Sequence, residues 1–475
     1  MKGKRISVNA QRIRYLVSDL IMGAIAFWIF NIVRYFLLDE YDQGYSYLWA
    51  FLGSTKLIIE QCLVPVGMLG IFWLSGYYNK PYGKSRLQEF NTTFFSALIN
   101  TVIIYLILLI NDQTGHRIIN YELIIILFGL LFLLPYMGRL ILTGFSISRF
   151  RKSNWKINVL IAGNTTVSRK VAKKLENSTS RVRYNIVGFV DIPGEKSLTD
   201  RNDSLQLEGV ADYCKEFGVD QIILAPKNYD DKKVLTLLSY LFPLDIPIKI
   251  SPDTFSFVTS AVKMRDIYAE PFIDLASPTM SECSLNIKRA FDVFASSLVL
   301  LILSPLYLTL SLIIKSTSKG PVFYSQERIG RHQKPFTIYK FRTMIVDSEP
   351  EGPRLSATND PRITKAGHWM RKYRLDELPQ FWNVLKGEMS IVGPRPEREY
   401  YINEIVKKAP YYALVCQVRP GITSWGMVKY GYASSVGQMV ERTRYDLIYL
   451  ANMSLSVDCK ILIYTVKTIF TGKGV

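Results

Sequence analysis

The stretch KRAFDVFASSLVLLILSPLYLTLSLIIK, from Lys288 to Lys315, decides how this chain meets a membrane. Its apolar run, Phe291 to Ile314, has the length of a spanning helix, for which ~20 residues suffice. Pro305 stands near the middle, where a proline removes a backbone hydrogen bond and clashes with the preceding turn. The hydroxyl of Ser304 is placed to serve a freed carbonyl, so a sharp bend is expected at Ser304–Pro305. Basic residues flank both ends, Lys288 and Arg289 before, Lys315 and Lys319 after. A spanning helix carries an asymmetry of charge. Symmetric flanks predict a re-entrant helix over 291–314 that enters and leaves by one face, with Lys288, Arg289 and Asp292 as its anchor. The alternative is a kinked fifth span, which would put everything after it on the far side.

Upstream, four apolar stretches run roughly from Leu16 to Leu38, Leu48 to Leu74, Phe94 to Ile110 and Leu123 to Phe145. Basic Lys2, Lys4, Arg5, Arg12 and Arg14 precede the first, and acidic Asp39, Glu40 and Asp42 follow it. Lys80, Lys84 and Arg86 follow the second, and Arg149, Arg151, Lys152 and Lys156 the fourth. The positive-inside rule then puts both ends of a four-helix bundle (1–150) in the cytoplasm. The first stretch is too long and too polar for a cleaved signal peptide. Asp19 and Arg34 lie inside it, either on a substrate path or paired with other helices near the membrane ends.

Between the bundle and the bent helix, residues 151–282 alternate strands and helices. KINVLIAG, YNIVGFVD, VDQIILA and IPIKI read as strands. TTVSRKVAKKLENS, GVADYCKEFG and DKKVLTLLSYLF read as helices. Such alternation predicts a Rossmann-like domain with a parallel sheet. A dinucleotide site needs G-x-G-x-x-G at the first turn, whereas GNTTVS keeps only Gly163, so no ligand is assigned.

The 475 residues carry a net charge of +18, which calls for an anionic partner. The basic residues gather at membrane flanks and around an acid pair, which argues against nucleic acid. The five cysteines are scattered without a C-x-x-C pair, supporting neither a disulfide framework nor a zinc site.

That acid pair is Asp376 and Glu377, in RKYRLDELPQFWNVLKGEMSIVGPRP. Before it, SKGPVFYSQERIG and PFTIYKFRTM read as strands carrying Arg328, Arg331, Lys340 and Arg342. Helices are expected around 364–374 and 377–386, with Pro379 in the first turn of the second. Neighbours on a helix point ~100° apart, so the acids are poorly placed to share a proton. One can attack phosphorus while the other holds Mg²⁺ with substrate phosphates. Arginines would neutralise phosphate oxygens, with Arg395 presented on the Pro-bounded turn VGPRP. The pattern suits phosphoryl transfer, and equally a salt-bridged helix cap. A conventional metal-dependent glycosyltransferase would carry D-x-D, which this chain lacks.

KRAFD, the apolar run broken by SP, GPVFYSQERIG, KFRTM, DPRIT, LDELPQFWNVLKGEMSIVGPRPE and RPGIT follow one another in this order. Together they resemble the bacterial sugar transferase family of polyprenyl-phosphate sugar-1-phosphate transferases, over about 286 to 475. The layout is similar to its large members, with four N-terminal spans and a Rossmann-like domain before a monotopic α/β catalytic domain (283–475).

The resemblance implies transfer of a sugar-1-phosphate from a UDP-sugar to undecaprenyl phosphate, releasing UMP, at the start of exopolysaccharide, capsule or O-antigen synthesis. It implies Asp376 as nucleophile, Glu377 as the residue linked to Mg²⁺, Arg371 and Arg395 as phosphate ligands, and Ser304–Pro305 as the re-entrant break. Lys340 and Arg342 are expected to contact phosphate as well, and Asp376 to share the metal. The expected setting is a bacterial inner membrane, with soluble domains in the cytoplasm and the chain as a homodimer. Where many relatives read PGITG before a tryptophan and glutamine, this chain reads PGITSWGMVKYGYA, so no sugar is assigned. A membrane sensor that binds nucleotide without turnover is the alternative.

Overall fold

A computed structural model describes residues 8–38, 47–79, 86–109, 117–152, 156–176, 183–192, 204–225, 237–238, 240–244, 246–250, 273–274, 280–346, 348–349, 352–355, 360–431 and 433–470. The acidic loop Asp39–Asp42, the basic Lys80 and Lys84, and most of the expected helix 231–242 lie outside these residues. The chain divides into two compact units, Met1–Trp155 with Ser281–Ile287, and Lys156–Met280 with Lys288–Val475.

The first unit holds helices α1 (Val8–Leu38), α2 (Leu48–Leu52), α3 (Thr55–Leu74), α4 (Arg86–Ile104) and α5 (Arg117–Lys152). Four segments are long and apolar enough to cross a membrane: Asn9–Leu37, Thr55–Leu74, Arg86–Leu108 and Tyr121–Ser146. Two bounds differ from the sequence reading. The second stretch is cut at Gly53–Ser54, because Ser54 is extended (φ −66°, ψ 140°) and starts α3 afresh. The third begins at Arg86, since polar Glu89 and Thr93 are helical and buried.

Phe27, Phe30, Met68, Phe72, Leu127 and Leu131 fill the bundle core. Asp19 and Arg34 are paired with other helices. The Arg139 guanidinium donates to Asp19 at 2.7 and 2.9 Å, the Tyr78 hydroxyl donates to the same carboxylate at 2.7 Å, and Arg34 lies 3.8 Å from Glu60. Arg139 also stacks on Phe72 and Tyr77, 4.0 and 3.6 Å from the ring centroids. An ion pair so buried is tolerable only because its spare donors and acceptors are met.

In the second unit, β1 (Lys156–Ala162), α6 (Thr166–Glu176), β2 (Arg183–Val190), β3 (Ser204–Leu205), α7 (Val210–Phe217), β4 (Gln221–Leu224), β5 (Ile248–Ile250) and β6 (Ile273–Asp274) form an α/β layer. The sheet order is β3-β2-β1-β4-β5-β6. All neighbours are parallel except β5 and β6. β4 is buried throughout and β1 along its second half, as sheets covered on both faces are. Gly163 ends β1 at φ +124°, and a Cβ there would stand 2.5 Å from the Ala225 carbonyl oxygen. One core of this layer also takes in Ala413, so the sheet and the chain beyond residue 288 share apolar packing.

Next come α8 (Glu282–Ile302) and α9 (Ser304–Thr317), bent by 60° at Leu303. Ser304 Oγ donates to the Leu301 carbonyl at 2.8 Å, one of the acceptors left over where Pro305 interrupts the ladder. Lys288, Arg289 and Asp292 tie α8 to segments far along the chain. Lys288 Nζ meets Asp458 Oδ2 at 2.7 Å, and Asp292 accepts from Ser390 Oγ at 2.7 Å and from the Ile391 amide at 3.1 Å.

Strands β7 (Phe323–Ile329) and β8 (Pro335–Phe341) then pair as an antiparallel hairpin. They are followed by α10 (Lys365–Lys372), α11 (Gln380–Lys386), β9 (Ser390–Val392), α12 (Glu399–Lys408), β10 (Gly421–Thr423), α13 (Trp425–Lys429), α14 (Val436–Ala451) and α15 (Leu455–Phe470). Arg289 donates to the carbonyls of Val384 and Leu385, at 2.6 and 3.0 Å. It thereby caps the C-terminal turn of α11, where a cation suits the exposed carbonyls.

Candidate active site

α10 starts where Thr364 Oγ1 accepts from the Gly367 amide at 3.0 Å, an N-cap of the usual kind. It ends at Lys372, and two residues on Arg374 has a φ of +53°, in the left-handed region that side-chain-bearing residues rarely enter. The chain then makes a short 3₁₀ turn, Leu375–Glu377, before Pro379 caps α11. This corrects the expectation that the acid pair opens the second helix and that Pro379 lies in its first turn. The turn stands apart because Arg374 reverses the backbone and i→i+3 bonds follow, from Glu377 N to Arg374 O and from Leu378 N to Leu375 O. At 3.0 residues per turn, successive side chains diverge by ~120°. The conclusion that the two acids face apart is retained, on different geometry.

Two leucines pin this turn. Leu375 and Leu378 pack with Leu310 and Ile314 of α9, Phe341 of β8 and Met370 of α10. The Tyr307 hydroxyl of α9 donates to the Leu378 carbonyl at 2.7 Å. Asn383, wholly buried, donates to the Thr337 carbonyl and to Glu388, both at 2.7 Å, and accepts from the Tyr339 amide at 3.2 Å. That spends the side chain's capacity in joining α11 to β8.

Both acids are buried. Glu377 faces three cations: Lys340 Nζ at 2.9 Å, Arg395 at 3.5 Å and Arg374 at 3.6 Å. Burial alone would discourage its ionisation, but Lys340, Arg395 and Arg374 outweigh it and hold the carboxyl well below the usual carboxylate range. Asp376 goes the other way. Burial pushes its carboxyl up, Lys340 opposes this, and the charge on Glu377 adds to the rise. Lys340 in turn is pushed down by burial, against the pull of Glu377.

Arg371 and Arg395 reach the site from different elements. Arg371 leaves the last turn of α10 and donates from Nε to Thr343 Oγ1 at 2.9 Å. Arg395 sits after β9, which lies parallel to β10. A Cβ on Gly421 would stand 2.1 Å from the Gly393 amide nitrogen, so glycine in RPGIT is what lets VGPRP approach. Arg342 lines the same cavity as Arg371 and Arg395. Its guanidinium donates to the carbonyls of Ser318 and Lys319, each at 2.9 Å, and to Ser318 Oγ at 2.7 Å. These bonds hold the end of α9 to the residue that follows β8.

Asp376, Arg371, Lys340 and Arg395 line one cavity of about 960 Å³, shared with Arg328, Glu397, Arg398, Tyr401 and Arg442. Glu397 is bracketed by Arg442, a direct hydrogen bond, and by Arg328 at 3.5 Å. Glu397 could have been suspected from its place after the Pro-Arg-Pro turn. Thr343 stands in KFRTM, where only the basic residues are expected to act, and Arg442 carries no local signal, because only folding brings it near. Among the described residues no group of three or more His, Cys, Asp or Glu could hold a metal by itself. The ionised Glu377 carboxylate and Asp376 are hard oxygen donors, a set that suits Mg²⁺ when substrate phosphates supply further ligands.

A sequence model described as bacterial sugar transferase matches residues 283–472. A UDP-N-acetylgalactosamine-undecaprenyl-phosphate N-acetylgalactosaminephosphotransferase of Aeromonas hydrophila is 42% identical over 229 residues, 48% of this chain and 53% of that protein. A UDP-glucose:undecaprenyl-phosphate glucose-1-phosphate transferase of Escherichia coli K12 is 30% identical over 66% of this chain and 68% of its own length. An undecaprenyl-phosphate galactose phosphotransferase of Salmonella typhimurium is 26% identical over 96% of both chains. The most similar stretch thus spans about half the length of the Aeromonas relative.

Proposed function

This chain belongs to the bacterial sugar transferase family, and on that premise we propose that it moves a sugar-1-phosphate from a UDP-sugar to undecaprenyl phosphate. The observation that carries the reading is a buried aspartate lining a basic cavity, next in the chain to a buried glutamate of opposite electrostatic character. Asp376 is buried beside Arg371 and Lys340, and Glu377 is kept ionised by three cations.

In this mechanism an Asp376 oxygen attacks the sugar-bearing phosphorus. The bond from that phosphorus to the bridging oxygen breaks, and UMP leaves with the bond's electrons. The phosphate oxygen of undecaprenyl phosphate then attacks the same phosphorus, the bond to Asp376 breaks, and the carboxylate is restored. Arg371 and Arg395 hold phosphate oxygens, and Lys340 keeps charge balanced as the diphosphate arrives. Mg²⁺ would be held by Glu377 and Asp376 with the diphosphate, and would neutralise charge on the leaving phosphate.

The bend of 60° between α8 and α9, with basic residues at both ends, supports a helix that enters and leaves the membrane by the cytoplasmic face. The sheet order running outward from β1 to β3 and from β4 to β5 supports a Rossmann-like middle domain.

The test is product analysis. Purified protein is incubated with undecaprenyl phosphate, Mg²⁺ and a panel of UDP-sugars, with Asp376→Asn alongside. UMP release with one sugar, absent in the variant, is expected. Release of UDP instead, or an Asp376→Asn enzyme of near-normal rate, overturns the mechanism.

A further inference from the structure

The cavity that holds Asp376 has two unlike kinds of lining. One is polar, with Tyr324, Tyr401 and the pair of Arg398 and Glu349, salt-bridged at 2.7 Å. The other is apolar: Pro321, Phe323, Phe341, Ile345 and Val346. Some of the apolar contacts are direct. Phe323 stacks on Phe341 at 5.4 Å between centroids, and Phe341 meets Tyr307 of α9 at the same distance. Val346 lies against Gly320, where a Cβ would come within 2.8 Å of its Cγ2.

Phe323, Ile345 and Val346 are nevertheless 50–52% exposed. Half-open apolar side chains gathered on the rim of a basic cavity are not explained by core packing, because Phe341 alone of the group is buried. A water-soluble diphosphate donor gains nothing from them. They adjoin the end of α9, held there by the bonds from Arg342 to Ser318 and Lys319.

We propose that this rim, made by Phe323, Ile345 and Val346, is the subsite for the isoprenoid chain of the acceptor, and so sets a preference for long-chain polyprenyl phosphates. The inference rests on the transfer reaction above. A phosphate head at Asp376 leaves its chain to run along the rim toward α9, the element read as lying in the membrane. An anionic head in a cavity lined by arginines and an apolar tail on its apolar lip match both ends of such a lipid.

The experiment compares undecaprenyl phosphate with geranyl phosphate as acceptors, in wild type, Val346→Asp and Ile345→Asp. Val346→Ala is the milder control. Both positions are half exposed, so folding tolerates the change. Exchange of labelled UMP into the UDP-sugar, which needs no acceptor, is measured in each protein.

The expected result is a loss of about tenfold or more in kcat/KM for undecaprenyl phosphate in the aspartate variants. Geranyl phosphate and UMP exchange should stay within about twofold, and Val346→Ala should fall between. An equal loss with both acceptors would make the rim a bilayer contact and overturn the subsite, as would no loss with either. Absence of transfer to undecaprenyl phosphate in the wild type would instead refute the reaction on which the proposal stands, and absence of UMP exchange alone would refute only the covalent step.

Discussion

Replacing Lys340 by Met removes the closest cation from Glu377 and keeps most of the side chain's volume. At 2.9 Å the pair attracts by about 6 kcal/mol at an effective dielectric constant of ~20, before either partner's desolvation is counted. Breaking a buried pair by deleting one partner costs about 3–5 kcal/mol, because a charge is left unmatched. Here Arg395 at 3.5 Å and Arg374 at 3.6 Å remain, so the net loss should be smaller, about 2–3 kcal/mol. A fall in the denaturation midpoint at unchanged slope measures it. The same change acts on Asp376. Burial raises that carboxyl and Lys340 is the chief influence restraining the rise. Asp376 must be ionised to attack, so activity exists above its pKa and is lost as pH falls through it. Without Lys340 the pKa rises further, and the acid limb of the kcat/KM profile should move to higher pH. Lys340→Arg should leave the limb nearly in place. A stability loss with an unmoved acid limb would show that Lys340 does not govern Asp376, and the electrostatic account of the site would fail.

Asp446 is buried, and burial raises its carboxyl from 3.8 to about 6 against the pull of Arg442. The folded state then binds the proton more tightly than the unfolded chain, so stability falls as pH rises through that window, by about 3 kcal/mol at ~1.4 kcal/mol per pH unit. Asp446→Asn should flatten this slope in unfolding measured from pH 4 to 7, and an unchanged slope would refute the assignment. Asp292→Ala leaves the Ser390 hydroxyl and the Ile391 amide without their acceptor, at about 2–5 kcal/mol in chemical unfolding. Asp292→Asn should recover part of that. Thr343→Val deprives Arg371 of an acceptor; KM for the UDP-sugar should rise several-fold with kcat less affected, and Thr343→Ser should restore it. If Ser fails to rescue, the hydroxyl is not what positions Arg371.

The features legible in the chain alone are those whose signal is local. Four apolar runs are legible because a helix in lipid must be apolar for its whole length. The strands of the α/β layer are legible because burial on both faces makes continuous runs such as VLIA and QIIL. Ser304–Pro305 marks a bend because proline breaks the ladder wherever it stands. Polar side chains blur such signals, so the third span reads as starting at Phe94, although Glu89 and Thr93 are helical and buried in the bundle.

How distant charges meet is a matter for folding. Asp19 needs Arg139, 120 residues away. Glu377 is ionised because Lys340 on a strand and Arg395 on a later turn converge on it. Arg342 and Lys340 are near neighbours in KFRTM, yet one turns to the end of α9 and the other to the acid. Two residues apart on a regular strand they would share a face. They part because β8 stops at Phe341 and leaves Arg342 beyond the pleat, an end point that no residue of KFRTM announces. The turn that carries Asp376 and Glu377 depends likewise on Arg374 adopting a positive φ, which the surrounding contacts impose and its own preference opposes. Charge in water interacts weakly and without direction. Its meaning for this chain is settled only when folding removes the water and sets the distances.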